Sequence, residues 1–465
     1  MFKKSLFIFR RDLRLDDNIG LIRSLQESKK VIPAFIFDPN QITSKNKFKS
    51  NNALQFMLDS LQDLEGQLQK INAKLYVFYG KPEQIVNSLI VKEKIDAVFV
   101  NEDYTPYSKT RDAKIKKICD KSGVNFKCHQ DTLLNPPDKV LKKDAMPYTI
   151  FTPFFKKSIQ FIIQKPIKLS ATNFYINKIK QSMKLTPITK KLMLSSNKVT
   201  TKNKDSFSGG RNNALKILQN IKNFKNYKIE HDIPGLSATT KLSAHNKFGT
   251  VSIREVYYEI AENLGKNHPI IRQLYWRDFF THIASHFPHI FGHEFNQKYK
   301  NIKWDYDTKK FQSWCNGKTG FPIVDAGMRE LNTTGFMQNR VRMITASFLV
   351  KDLHIDWRLG EKYFATKLVD YDPSVNNGNW QWVASTGCDA QPYFRIFNPW
   401  IQQKKFDPEC IYIKKWISDL KKTEPKNIHK LFKPNKFVKN YPKPIVDHGI
   451  ESKVAILRFR KARMA

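Results

Sequence analysis

The first 130 residues alternate between two hydrophobic periods. Short apolar runs at 5–9, 31–37 (VIPAFIF), 74–79 (KLYVFY) and 97–100 (AVFV) have the length and β-branched or aromatic content of buried strands. Between them lie helical patterns. Over 53–68, Leu54, Met57, Leu58, Leu61, Leu64 and Leu68 fall on one helical face. Strand and helix alternating at this spacing predict an α/β domain, a doubly wound parallel sheet, over residues 1–130. The pattern breaks over 131–205. Residues 151–204 hold 12 Lys and no Asp or Glu, among frequent Pro, Ser, Thr and Asn. This predicts a solvated inter-domain connector, ordered near 148–155, with a DNA-contacting role ranked second. From 206 to 465 the period is helical. Gly209-Gly210-Arg211 is expected to open a helix running to about 223, and an all-α domain follows.

Composition sharpens the picture in three ways. A chain of 465 residues suits two or three domains. The formal net charge of +38 predicts a polyanionic partner, with nucleic acid the commonest, although a Lys-rich solvated surface would give the same excess. The last 52 residues, 414–465, hold 15 Lys and Arg against 4 Asp and Glu. The five Cys include no Cys-x-x-Cys pair, which argues against a disulfide framework or a Cys-based zinc site and for a reducing compartment. The start, MFKKSLFIFRRDLR, has too short an apolar run for a signal peptide, and no run reaches membrane-spanning length. The expectation is a cytoplasmic monomer without membrane or obligate protein partner.

Two tempting motifs are set aside. Gly317-Lys318-Thr319 lacks the earlier glycine of a phosphate loop, since position 312 is Gln312, and no strand precedes it. His282, His286, His289 and His293 lack a His-Glu-x-x-His pattern, and Pro288 interrupts them, so no metal site is expected. The turn after the first strand has no Gly-x-Gly-x-x-Gly. It carries Arg10 through Asn18 (RRDLRLDDN), whose alternating charges can pair with one another and whose Asp16 or Asp17 can cap the next helix.

The block 321–400 is polar and aromatic in an odd combination. Asn339 and Met343 stand four apart on one expected helix face, with Arg340 and Arg342 interleaved. Asn376-Asn377-Gly378-Asn379 runs from an expected helix-to-loop passage into Trp380-Gln381-Trp382. Such residues suit a pocket for a flat heterocycle. Upstream, Thr239-Thr240-Lys241-Leu242-Ser243 offers hydroxyls, backbone N–H groups and a cation, which suits a diphosphate if a helix starts there. Taken alone, such a run is more often a turn or a cap.

With RxDLRxxDN near the start and Trp276-Arg277-Asp278-Phe279 (WRDF) further on, these motifs resemble the photolyase/cryptochrome family, most closely its class I cyclobutane pyrimidine dimer photolyases. The resemblance runs from residue 6 to about 416 and is weakest across the connector. It implies light-driven repair of cyclobutane pyrimidine dimers in damaged DNA by a carbon–carbon lyase, with FAD working in its fully reduced form. It assigns FAD contacts to Tyr227, Thr239, Thr240, Lys241, Leu242, Ser243, Arg277, Arg342, Asp370, Tyr371, Asp372 and Asn376. Asp370 and Arg342 would pair near the flavin ring, and Asn376 would face its reactive nitrogen. Gln273, Trp276, Asn339, Arg340, Met343 and Trp382 would meet the lesion, Arg340 holding a flanking phosphate. Trp304, Trp357 and Trp380 would form an indole chain for electron transfer, leaving Trp314 and Trp400 as core.

Several positions depart from the family pattern. Gln273 stands where cyclobutane-dimer photolyases usually have Glu, and (6-4) photolyases have Gln there. The (6-4) enzymes also use two His where this chain has Asn339 and Met343, so the cyclobutane expectation stands and a (6-4) photolyase is the alternative. A cryptochrome-type photoreceptor without repair is another, and a light-independent nucleic-acid-binding protein a third. Lys241 replaces an Arg and loses its bidentate fork. Gln338 replaces a His, and His231 an Arg expected on DNA. Ser108 replaces the acid that holds a methenyl-folate, which leaves the antenna open between folate, a deazaflavin and none.

Overall fold

A computed structural model describes residues 1–194 and 207–464. Part of the expected connector, 195–205, lies outside the described residues. The chain forms two compact units, one of residues 1–223, 240–288 and 369–371, the other of residues 224–239, 289–368 and 372–465.

The first unit holds a five-stranded parallel sheet: β1 (Phe2–Phe9), β2 (Ser28–Phe37), β3 (Tyr76–Tyr79), β4 (Ala97–Asn101) and β5 (Asn125–His129), in the order β3-β2-β1-β4-β5. Both faces are covered, which is why the strands read as continuous apolar runs. The pleat divides each run. Leu6 and Ile8 join Ile32, Ala34, Val98 and Val100 in one cluster, while Phe7 and Phe9 join Phe35, Phe37, Val77 and Phe99 in the other. The fifth strand, Asn-Phe-Lys-Cys-His, lies at a sheet edge with no fully buried position, so no apolar run announces it.

Four expectations are corrected. Neither Asp16 nor Asp17 caps the first helix, Ile19–Glu27; Asn18 does, its side chain accepting from Leu21 N. Among the described ion pairs, the charges of the run meet distant residues. The Arg14 guanidinium lies 2.7 Å from Asp131, Arg254 bonds both Asp17 and Asp131 at 2.8 Å, and Arg10 meets Asp112 at 2.8 Å. The stretch expected to be a solvated connector is partly folded into the unit. It forms the helices Phe151–Ser158 and Leu185–Leu194, and Phe174, Leu185, Ile188 and Leu192 are buried in the sheet's larger cluster. Its backbone also runs along the sheet, with Tyr175 N donating to Val31 O at 2.7 Å. The helix at Arg211 ends at Gln219, short of 223, and a 3-10 turn over Ile221–Phe224 follows.

In the second unit the helices include Pro322–Thr334, Asn339–Ser347, Trp357–Lys367, Pro373–Ala384, Pro399–Phe406 and His448–Met464. A π-helical turn, Phe348–Asp352, continues the Asn339–Ser347 helix. No helix among the described residues is long and apolar enough to cross a membrane.

Candidate active site

In the first unit, the Pro269–His286 helix presents Gln273 and Trp276 one turn apart. Gln273 is exposed. Trp276 is half-buried, and its ring lies flat on Phe151 at 3.6 Å, with Phe280 at 5.6 Å on the same helix. One indole face is therefore fixed by a residue from the supposed connector. Arg277 donates to Thr132 O at 2.7 Å and to Asn246 O at 3.4 Å. Asp278, wholly buried, accepts from Leu134 N at 2.8 Å, and burial pushes its carboxyl up to about 7. These bonds lock the helix against residues 132–135. The histidines of this helix are also committed, His282 to Asn135 O and His286 to Pro137 O.

The run Thr239-Thr240-Lys241-Leu242-Ser243 leads directly into the Ser243–Phe248 helix. Lys241 takes a left-handed φ of 55°, and its ammonium lies 5.8 Å from the Phe207 ring centre. Leu242 N donates to Thr240 Oγ1 at 3.4 Å. One turn on, Asn246 Oδ1 is buried with no hydrogen-bond partner among the described residues. A hidden amide oxygen without a donor is costly unless a ligand supplies one. Asp370 is buried, and Tyr371 stacks on Phe48 at 6.3 Å.

In the second unit, Asn339 and Met343 share the outward face of the Asn339–Ser347 helix, the Asn339 amide 3.6 Å from Met343 Sδ. Gln338 caps that helix by accepting from Val341 N at 3.1 Å, and its amide donates to His231 O. His231 stacks on Tyr227 at 4.7 Å. Burial, with Asp232 nearby, pushes the Tyr227 phenol up to about 12. Arg340 pairs with Asp232 and lies over Phe406 at 4.5 Å, so the cation expected on a phosphate has a carboxylate partner in this state. Arg342 donates through Nε to Met337 O at 2.7 Å.

The block 376–379 lies inside a helix, not at a helix-to-loop passage. Asp372 caps Pro373–Ala384 by accepting from Ser374 N at 3.0 Å. Asn376 donates to Glu361 O at 3.3 Å, and Asn377 to Glu361 Oε1 at 3.3 Å. Burial pushes the Glu361 carboxyl up to about 7, against the hydrogen bond from Asn377. Trp382 is half-buried. Trp380 is buried edge-on against Phe364 at 4.9 Å and Trp314 at 6.3 Å. Trp357 opens the Trp357–Lys367 helix, wholly buried, with no hydrogen-bond partner for its Nε1 among the described residues. Trp304 is half-buried beside Phe459, and Asp305 N donates to His354 O at 2.8 Å, tying the Trp304 segment to the one that leads into Trp357.

Two models match the chain, one described as DNA photolyase over residues 5–168 and one as the FAD binding domain of DNA photolyase over residues 270–461. A deoxyribodipyrimidine photo-lyase of Alkalihalophilus pseudofirmus is 35% identical, covering 97% of both chains. The chain belongs to the DNA photolyase family. A solved archaeal photolyase of Sulfolobus tokodaii, described as having two FAD molecules, is 43% identical with a TM-score of 0.88, over 98% of this chain and 100% of that one. A bacterial class III photolyase of Agrobacterium tumefaciens is 32% identical with a TM-score of 0.90, over 100% and 98%.

As a photolyase, the chain carries a FAD-binding domain, and its residues fit that group. Thr240, Lys241 and Ser243 gather hydroxyls and a cation where a helix begins, and one turn on Asn246 Oδ1 is buried without a hydrogen-bond partner among the described residues. Sequence reasoning missed Asn246, whose placement shows only once the helix start is known. It also missed Phe151 as the support of Trp276, because the two are 125 positions apart and no local pattern links them.

Proposed function

We propose that this photolyase repairs cyclobutane pyrimidine dimers in DNA under blue light. The observation that carries the reading is the Asn339–Met343 contact on an exposed helix face, where (6-4) enzymes would place two histidines. An apolar ring at Trp276, flattened on Phe151, offers the dimer a wall. Gln273, one turn away, offers an amide to its bases. A dimer stacks poorly in the duplex, so taking it into a pocket costs less than flipping intact bases. FAD, fully reduced and held by residues such as Thr240, Lys241 and Ser243, would supply light-driven one-electron chemistry for opening the cyclobutane ring, with no net redox change. The protein's share is to gather DNA by positive charge, orient the lesion and keep water away. Arg340 must leave Asp232, or share it, to hold a phosphate. Trp380 and Trp357, both buried, and Trp304, half-buried, suit a path that carries an electron hole outward. The five free cysteines suit a reducing compartment.

The test is repair of two purified lesions by the reduced enzyme in blue light. Restoration of cyclobutane dimers is expected. Restoration of (6-4) products alone would transfer the assignment, and Gln273→Glu would then abolish it. A light response without repair of either lesion would favour the photoreceptor reading.

A second reading concerns the antenna. Ser108 is buried and donates to Asp103 at 2.9 Å, so it is spent on its own helix end. At the C-terminal edge of the sheet, where strand order reverses between β1 and β4, Arg10 Nη2 and Arg111 Nη2 are buried without partners among the described residues. Two guanidiniums suit a phosphate-bearing chromophore, and the archaeal relative's second FAD favours a flavin. The expected result is two flavins released per chain; one would overturn this reading.

A further inference from the structure

The second unit contains a cavity of about 1460 Å³, walled by the Pro399–Phe406 helix, the turns at 424–436 and the segment 443–449. Seven lysines line it against three carboxylates. Two of those carboxylates are engaged. Glu424 lies 2.9 Å from Lys426, and Asp447 accepts from Ile450 N at 3.1 Å. Lys404, Lys430, Lys433 and Lys436 are exposed and have no carboxylate partner among the described residues. Like charges around one concavity repel one another, and an entering polyanion relieves that repulsion.

The wall is also aromatic. Trp400 and Phe432 meet at 5.4 Å, and Trp400 is backed by Phe321 at 4.9 Å. Phe432 is 52% exposed and Ile401 62%. An exposed ring held against a supported indole, inside a ring of ammonium groups, is the arrangement that tracks a phosphate backbone while a base stacks. A duplex keeps its bases inside and would leave these rings unused. A lone phosphate would need neither rings nor seven lysines.

We propose that this cleft binds an unpaired DNA strand. Lys404, Lys430, Lys433 and Lys436 meet its phosphates, and one base stacks on Phe432, which Trp400 supports. The choice of DNA over RNA rests on the repair reading. The Pro399–Phe406 helix ends at Phe406, whose ring carries Arg340, the residue expected beside the lesion. One helix thus joins the cleft to that residue, and the strand would run from one to the other.

The test uses full-length protein in the dark with an undamaged, dye-labelled oligothymidylate of twelve nucleotides, read by fluorescence anisotropy. Lys430→Glu with Lys433→Glu should weaken binding at least tenfold and flatten the slope of log affinity against log salt by about 1.4, the share of two phosphates on a single strand. Phe432→Ala, at an exposed position, should weaken it about tenfold and change binding of an undamaged duplex less than twofold. Lys117→Glu with Lys121→Glu, the same charge change on the exposed face of the Pro106–Lys121 helix, should leave strand binding within twofold. Wild-type affinity in both cleft variants, or equal loss in the Lys117/Lys121 control, would overturn the proposal. So would an RNA twelve-mer that binds the cleft more tightly than DNA. Since no lesion or light is involved, failure of the wild-type protein to repair dimers would count against the repair reading and leave this measurement intact.

Discussion

Gly360→Ala would test how closely the Trp357–Lys367 helix packs against Trp380. A Cβ at position 360 would lie 2.2 Å from Cη2 and 2.6 Å from Cζ3 of Trp380, and 2.5 Å from Cδ2 of Leu349. Those indole atoms belong to a ring only 3% exposed, with Phe364 at 4.9 Å and Trp314 at 6.3 Å, so it has no room to swing away. Two effects oppose each other. Alanine favours the helix by about 0.5–1 kcal/mol over glycine. Overpacking a filled core costs about 1–3 kcal/mol, and contacts well inside 3 Å with a rigid ring belong at the upper end. The net expectation is a loss of about 2 kcal/mol. Trp380→Phe removes the ring edge that collides, so the double variant should be less destabilised than the sum of the singles by about 1 kcal/mol or more. Urea unfolding of the four proteins measures both quantities. A Gly360→Ala variant as stable as the parent, or strict additivity, would refute the reasoning.

Further predictions concern buried charge, pH and the indole chain. Asp131→Asn takes the countercharge from Arg14 and leaves Arg254 only Asp17. Burial works to raise the Asp131 carboxyl, yet the two guanidiniums hold it below the usual range. Thermal and urea unfolding should show a loss of about 3–5 kcal/mol, and a loss under 1 kcal/mol would mean the pairs are solvated. Glu361 has its carboxyl raised from 4.5 to about 7, so the folded state binds its proton more tightly than the unfolded chain. Its contribution is favourable below pH 4.5 and is lost as pH rises through about 7. Glu361→Gln should therefore gain on the parent by up to about 3 kcal/mol between pH 5 and pH 8, measured by urea midpoints, and a pH-independent difference would contradict the burial argument. Trp304→Phe should slow light-driven reduction of oxidised FAD, followed by absorbance, and spare repair by enzyme reduced beforehand. Loss of repair in the second condition would break the assigned role.

Four of the five strands were legible because both faces of the sheet are covered, which makes each a continuous apolar run. The fifth sits at an edge and has little to bury. The connector misled because its lysines dominate composition, whereas burial follows a few irregularly spaced residues such as Phe174 and Ile188. From sequence, the Asn376–Asn379 block is expected at a helix-to-loop passage. Asp372 and Pro373 start a helix there, and Asn376 and Asn377 satisfy their amides on Glu361.

By itself the sequence determined the family and the chemical inventory: which indoles, amides and carboxylates are present, and in what order. Local periodicity and motif order carry that information, and both survive without knowledge of the fold. Only the tertiary structure decided partners. It gave Arg14 to Asp131, 117 positions away, and Arg340 to Asp232, 108 positions away. It laid Trp276 on Phe151 and left Asn246 Oδ1 buried without a hydrogen-bond partner among the described residues. Which charge meets which, and which polar atom is buried without a partner, depends on how whole elements cross, and no local pattern encodes a crossing.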